Sequence, residues 1–358
     1  MISISNRIPL AVSALLTLFF AVWGGLLRLQ WHLPIPQANW ISFHGPLMVN
    51  GFFGTVIGLA RASVLKSKIG LLVPLATAMG AWTLLLGGPE NWGALLFLAA
   101  SLGYLLVSIA FFWKQQAFAA ALALAGGCGW AWANFFWWHG EPIPHVMNGW
   151  QILFVLTIAS ERLEAVHWQP TLGRTLALMT VTGLLMTGMG FQPFQPALGV
   201  RMVAAGFLLL AMCLLFFDRG WNSEKTEGWK GFTKACLISA YAWLFIGGFV
   251  GLVTAPVDSG FTYDAFLHCV FLGLVFSMVF SHAPLLLPRV LRTPVPFHPF
   301  FYAHWLLLQA SLVARVGGDV LESTPLRRWG ALLNSFALLL FILNTAIAMF
   351  RGKRSRHL

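Results

Sequence analysis

Apolar runs of about 20 residues recur from one end of this chain to the other, at 8–29, 42–61, 69–87, 92–113, 117–138, 145–161, 173–191, 197–217, 232–254, 264–287, 299–317 and 329–350. A helix rises about 1.5 Å per residue, so each run is long enough to cross the ~30 Å hydrocarbon core of a bilayer. The fourth and fifth are parted only by Lys114-Gln115-Gln116, and merging them would invert every later span. Only 9% of the 358 residues are charged and 58% are hydrophobic, with a mean hydropathy of +0.78, against roughly 25% charged in soluble domains. No hydrophilic segment is long enough to fold separately. The pattern predicts an all-α polytopic transmembrane bundle of about 12 helices, a single integral membrane domain over 1–358. The opening run follows Arg7 and lacks a small-residue cleavage pattern, so it reads as a retained first helix and not as a signal peptide.

Charge sets the expected orientation. The chain carries 22 basic against 11 acidic residues, an excess that in a membrane protein reports cytoplasmic loops beside anionic lipid and argues against nucleic acid as a partner. Arg7, Arg61 with Lys66 and Lys68, Lys114, Arg162 with Arg174, the segment DRGWNSEKTEGWKGFTK, Arg289 with Arg292, and the tail RGKRSRHL all fall on one side of twelve spans. The opposite loops WHLPIPQANW, GGPENW, HGEPIP, FQPFQP and APVDSGFTY contain no Lys or Arg. Both termini are therefore expected in the cytoplasm, with the chain in a bacterial cytoplasmic membrane. One loop dissents, because Arg315, Arg327 and Arg328 fall on the outer side next to Asp319 and Glu322. An anionic cofactor edge, such as a haem propionate, would account for them, since arginine grips a carboxylate through two parallel hydrogen bonds. An ordinary solvated loop balanced by the two acids is the alternative.

With that topology the histidines sort by depth. His44 opens the second span, His145 the sixth, and His268 lies early in the tenth, so all three sit near the outer surface. Arg61 follows His44 by 17 residues and Arg162 follows His145 by 17, which suggests a weak repeat of three four-helix units. Any one histidine at a helix end can be merely interfacial. Three at one depth in equivalent positions point to ligation, because ionisable groups inside a membrane tend to face the bundle interior and carry function. Neutral imidazole is a common ligand for haem iron and suits copper too. On the second helix His44, Met48, Gly51, Thr55 and Gly58 share a face, and its small residues would admit a flat macrocycle or a neighbouring helix. Asp264, one turn before His268, is an outer acid that either faces water or orients that imidazole. The cysteines Cys128, Cys213, Cys236 and Cys269 form no Cys-x-x-Cys pair and suggest neither a disulfide framework nor a zinc site. No P-loop, dinucleotide fingerprint or serine-nucleophile motif is present, which removes any basis for an ATP-driven pump or a hydrolase.

These residues resemble the NnrS family, haem- and copper-containing membrane proteins of the nitric oxide response. The resemblance covers most of the chain as architecture: twelve spans, His44 with Gly51-Phe52 on the second helix, Arg162 ending the sixth, and His268 early in the tenth. The arrangement is also similar, more remotely, to the catalytic subunit of haem-copper oxidases. By that likeness His44 and His268 are the axial pair of a haem, expected to be b-type. His145 joins them only through the internal repeat, as a metal contact for copper, and the NnrS resemblance implies nitric oxide as the small ligand. The chain departs from both patterns. Its tenth helix ends SMVFSHAPLLLPRV where the NnrS pattern runs to arginine-glycine-histidine, and its seventh and eighth spans contain no histidine for an oxidase copper centre. Dioxygen reduction coupled to proton pumping is not expected.

Two other readings compete. His282 follows His268 by 14 residues, a spacing of ~21 Å within ~40° of one face on an α-helix, as in cytochrome-b-like electron carriers with stacked haems. Its partner would be His304, although His282, His298 and His304 read more simply as interfacial or loop residues. The second competitor is a transporter of a metal or small molecule with the histidines as its transit site. Transporters favour inverted repeats and midplane sites, whereas these histidines lie near one surface.

Overall fold

A computed structural model describes residues 7–37, 39–65, 69–218, 227–256, 258–291 and 293–354. Lys66, Lys68, Arg219, Lys225, Arg292 and the last four residues of the tail, all invoked for orientation, lie outside them. Every regular element among the described residues is helical. The chain divides into two compact units, Met1–Leu153 and Phe154–Leu358.

The first unit holds α1 (Ile8–Arg28), a second span made in pieces, α5 (Leu72–Leu85), α6 (Glu90–Gln115), α7 (Phe118–Trp138) and the start of α8 (Ile143–Ala165). The pieces of the second span are α2 (Asn39–Ser42), α3 (His44–Pro46), a π-helical stretch Leu47–Phe53 and α4 (Gly54–Leu65). The second unit holds the rest of α8, α9 (Leu172–Phe191), α10 (Pro196–Phe217), α11 (Gly228–Thr254), α12 (Phe261–His268), a second π-helical stretch Cys269–Phe276, α13 (Ser277–Leu291), α14 (Phe301–Val320) and α15 (Thr324–Arg354). Each of the twelve spans expected from the sequence falls on helix. Eight helices among the described residues are long and apolar enough to cross a membrane, the make-up of an integral membrane protein. The remaining four positions are the interrupted second span, the short third, and the sixth and eleventh, whose cores carry polar residues such as Asn148, Gln151 and Arg315.

Large apolar side chains cover the outside. Phe19, Leu106, Trp113, Phe216, Val253 and Phe350 are all exposed, which would be costly in water and is expected against lipid. Inside, indole N–H groups find fixed acceptors: Trp40 donates to the Leu85 carbonyl at 3.0 Å, Trp150 to Asn134 Oδ1 at 2.9 Å and Trp243 to Gln309 Oε1 at 2.7 Å. Many aromatic residues are thus struts within the bundle as well as a belt at its edge. The four cysteines carry no disulfide.

Helix pairs approach through glycine, as they must where lipid supplies no hydrophobic drive to associate. At the α9/α10 crossing a Cβ on Gly199 would meet the Gly188 carbonyl oxygen at 2.7 Å and Gln192 Cα at 2.8 Å. Backbone atoms cannot step aside cheaply. Gly199→Ala is therefore expected to cost ~1–3 kcal/mol through overpacking. Gly183→Ala in α9, where nothing lies within 4 Å, should be neutral or stabilise by ~0.5–1 kcal/mol. Equilibrium unfolding in mixed micelles checks both, and equal effects would refute the packing argument.

Burial separates three helices from the rest. Residues 49–55 in the second span, 146–160 in the sixth and 272–278 in the tenth are buried without a break, and no other described stretch is enclosed over seven consecutive residues. These are the spans that open on His44, His145 and His268.

Candidate functional site

In the first unit, His44 is half-buried on α3 and its ring lies against α1. Nδ1 donates to the Ala21 carbonyl at 2.6 Å. A Cβ on Gly25 would meet the ring at 2.7 Å, so a glycine there lets the imidazole lie flush on that helix. A carbonyl oxygen can only accept, which puts the proton of the neutral ring on Nδ1 and leaves the lone pair on Nε2. This is the tautomer a metal-ligating histidine uses, and the hydrogen bond fixes its orientation.

Directly after α3 comes the π-helical stretch Leu47–Phe53. Its wider turns advance fewer degrees per residue than an α-helix, so the shared face expected of His44, Met48, Gly51, Thr55 and Gly58 does not survive in its simple form. The small residues of that stripe are filled by neighbouring helices. A Cβ on Gly51 would meet Thr17 of α1 at 2.6 Å and Ala81 of α5 at 3.0 Å, and one on Gly58 would meet Pro74 of α5 at 2.9 Å. Thr55 and Thr77 share a hydrogen bond of 2.8 Å. Of the two occupants the sequence left open, the structure selects the helix.

His145, also half-buried, points Nδ1 at Glu141 Oε2 from 3.3 Å. In the second unit His268 donates from Nδ1 to the Asp264 carbonyl at 2.8 Å and lies 3.4 Å from Asp264 Oδ1. The two histidines thus share an acid four residues upstream. Hydrogen bonding alone does not single out these rings, because His139 and His282 also bond a carbonyl four residues earlier, at 2.9 Å each. The distinguishing feature is backbone form. Among the described residues there are two π-helical stretches, one following His44 and the other following His268, and π turns occur disproportionately at functional sites.

Asp264 does not face water. It is buried, with Arg315 donating to both carboxylate oxygens, Nε at 2.7 Å and Nη2 at 2.9 Å, and with Arg327 Nη2 3.4 Å away. Arg327 Nε lies 3.2 Å from Asp319 Oδ1, and its guanidinium is stacked over the Phe261 ring at 5.1 Å. The outer loop expected to contain the arginines is correspondingly short: Arg315 lies within α14, while Arg327 and Arg328 lie in the first turns of α15. The charge of Arg315 and Arg327 is answered by the protein's own carboxylates, Asp264 and Asp319. Asp319 is buried and so is no part of a solvated loop.

The remaining histidines fall elsewhere. His304 is fully buried, not interfacial: Asn344 Nδ2 lies 3.1 Å from its Nδ1, and the rings of Phe232, Phe280, Phe301 and Phe341 enclose it at 4.6–5.8 Å. His298 is exposed in the loop before α14. Between His268 and His282 the π stretch adds residues to the turn, so the same-face relation calculated for an α-helix shifts by ~100° or more. That removes the geometric basis for stacked haems on this helix.

A second buried ion pair went unforeseen. Arg162 donates to both oxygens of Asp218, Nε at 2.7 Å and Nη2 at 3.1 Å, and Tyr241 donates its hydroxyl to Oδ2 at 2.5 Å. No group of three or more His, Cys, Asp or Glu among the described residues is arranged to hold a metal ion by itself.

Fold and site together define an all-α polytopic membrane protein whose enclosed helices begin with oriented imidazoles. The chain belongs to the family described as a domain of unknown function, DUF8744, whose model matches residues 7–350. No match was found among curated proteins or among solved structures.

Proposed function

We propose that this chain is a membrane haem protein that binds nitric oxide or a related diatomic ligand, with His44 and His268 as iron ligands. The observation that carries this reading is that the two π-helical stretches among the described residues follow these two histidines, on spans in which residues 49–55 and 272–278 are buried without a break. The Nδ1 hydrogen bonds to main-chain carbonyls add support, because they hold each ring in the ligating tautomer. The resemblance to the NnrS family points the same way. No Cys-x-x-Cys-His attachment sequence is present, which argues for a non-covalently held haem such as b-type. When bound, haem supplies an iron centre at which a diatomic ligand is held.

The chain's own part is orientation. Ala21 and Gly25 fix the His44 ring. Asp264 fixes His268, and Arg315 and Arg327 in turn fix Asp264. In this reading Arg327 and Arg328, half-buried at the same end of the unit as His268, serve the propionates, while Arg315 belongs to the protein's own network. His145 contributes contact to the small ligand or to copper. Both termini face the cytoplasm of a bacterial cytoplasmic membrane, as the loop charges argue.

The test is an absorption spectrum with pyridine haemochrome and metal analysis of the purified protein, before and after nitric oxide. A Soret band that shifts with nitric oxide is expected. A colourless protein would overturn the reading, and stoichiometric bound metal without haem would favour a transporter.

A further inference from the structure

Asp319 is 2% exposed, and neither of its carboxyl oxygens accepts a hydrogen bond. Arg327 Nε stands 3.2 Å from Oδ1 in a geometry that makes an ion pair without a hydrogen bond. The same guanidinium reaches Asp264, with Nη2 3.4 Å from its Oδ1, so the two carboxyls share one cation. Two carboxylates are both acceptors, so a contact between them becomes a bond only when one of them holds a proton. Asp264 already takes a donor at each oxygen from Arg315 and a further charge from Arg327, which makes it the anion of the pair.

We infer that Asp319 is a buried proton-binding site, carrying an O–H that it donates to Asp264 within a cluster closed by Arg315 and Arg327. With the proton in place the cluster holds two guanidiniums against one carboxylate. On release the O–H bond breaks, the electron pair stays on Asp319, and the cluster becomes neutral. The proton's way to water runs past Arg327, whose side chain is 20% exposed while that of Asp319 is 0%.

The charged and titratable groups facing the site come from every element around it: Asp264 and His268 of α12, the Cys269 thiol that opens the π stretch, Arg315 of α14 and Arg327 of α15. A buried carboxylate lacking any hydrogen bond is costly to ionise, so the proton has a reason to stay, and a one-unit change of charge in a cluster whose Asp264 lies 3.4 Å from His268 gives it a consequence. The inference does not require haem at His268.

Infrared difference spectroscopy of the intact protein in lipid tests it, comparing H2O with D2O at neutral pH. The expected result is the carbonyl band of a protonated carboxyl that moves in D2O, vanishes in Asp319→Asn and persists in Glu322→Gln. Absence of the band from the wild type would overturn the proposal, as would its persistence in Asp319→Asn. If the Asn variant fails to fold, Asp319→Glu decides: the band should move with the lengthened side chain, and an unmoved band overturns the assignment.

Discussion

With haem bound as proposed, His44→Ala and His268→Ala are each expected to abolish or strongly shift its spectrum in the purified protein, with haem per folded chain falling towards background in at least one of them. Both rings are held before they meet any ligand: the Ala21 carbonyl and the Gly25 α-carbon seat His44, while the Asp264 carbonyl seats His268. Removing the imidazole removes the donor atom and leaves a gap of ring size beside a helix that is otherwise closed. His145→Ala should behave differently. Its ring is held by the side chain of a half-exposed Glu141 at 3.3 Å and precedes an unbroken α-helix. Haem should therefore remain, with nitric oxide reactivity or copper content reduced. The three variants, expressed at equal levels and compared by absorbance and metal content, separate the cases. A normal spectrum in His44→Ala would show the assignment to be wrong. His282→Ala serves as the control, because the π stretch turns that ring off the face of His268.

Apolar length was the strongest signal in the sequence because it reflects a one-dimensional constraint: a run either reaches across hydrocarbon or does not. All twelve positions accordingly fall on helix, including the second span, whose pieces no periodicity would have foretold. The π turns themselves were not legible. They depend on which carbonyl an amide finds after packing, and Leu47–Phe53 and Cys269–Phe276 look like ordinary apolar helix in composition. The three histidines stand on the spans with the longest unbroken burial, whereas side-chain partners could not be read from position. Arg315, Arg327 and Asp319 looked like a loop because charge in a membrane sequence is taken as exposed until a counter-charge is known, and Asp264 lies 51 residues from Arg315. Asp218 and Arg162 are 56 apart, so their pairing carried no local signal either. His304 read as an interfacial or loop residue from its place near the start of the eleventh span, yet the rings that bury it come from four separate places in the chain.

Asp218→Ala is expected to destabilise the second unit by ~3–5 kcal/mol, the usual cost of removing one partner from a buried ion pair. Asp218 is fully buried at the end of α10, and Arg162 near the end of α8 is 6% exposed. Without the carboxylate the guanidinium loses two charge-assisted bonds and has no water to replace them, and the Tyr241 hydroxyl is stranded as well. Tyr241→Phe removes only one of the three donors to that carboxylate and should cost ~1–3 kcal/mol. The double variant Arg162→Met/Asp218→Leu should recover most of the loss, since an apolar pair of similar volume commonly matches a buried ion pair it replaces. Unfolding in mixed micelles measures all three. A cost below ~1 kcal/mol for Asp218→Ala would mean that the pair is solvated like a surface bridge. The haem spectrum read on the same samples separates this role from the proposed site: the folded fraction of each variant should retain its haem, because Arg162 and Asp218 bond each other and Tyr241, whereas main-chain carbonyls of Ala21 and Asp264 seat the two imidazoles assigned to the iron.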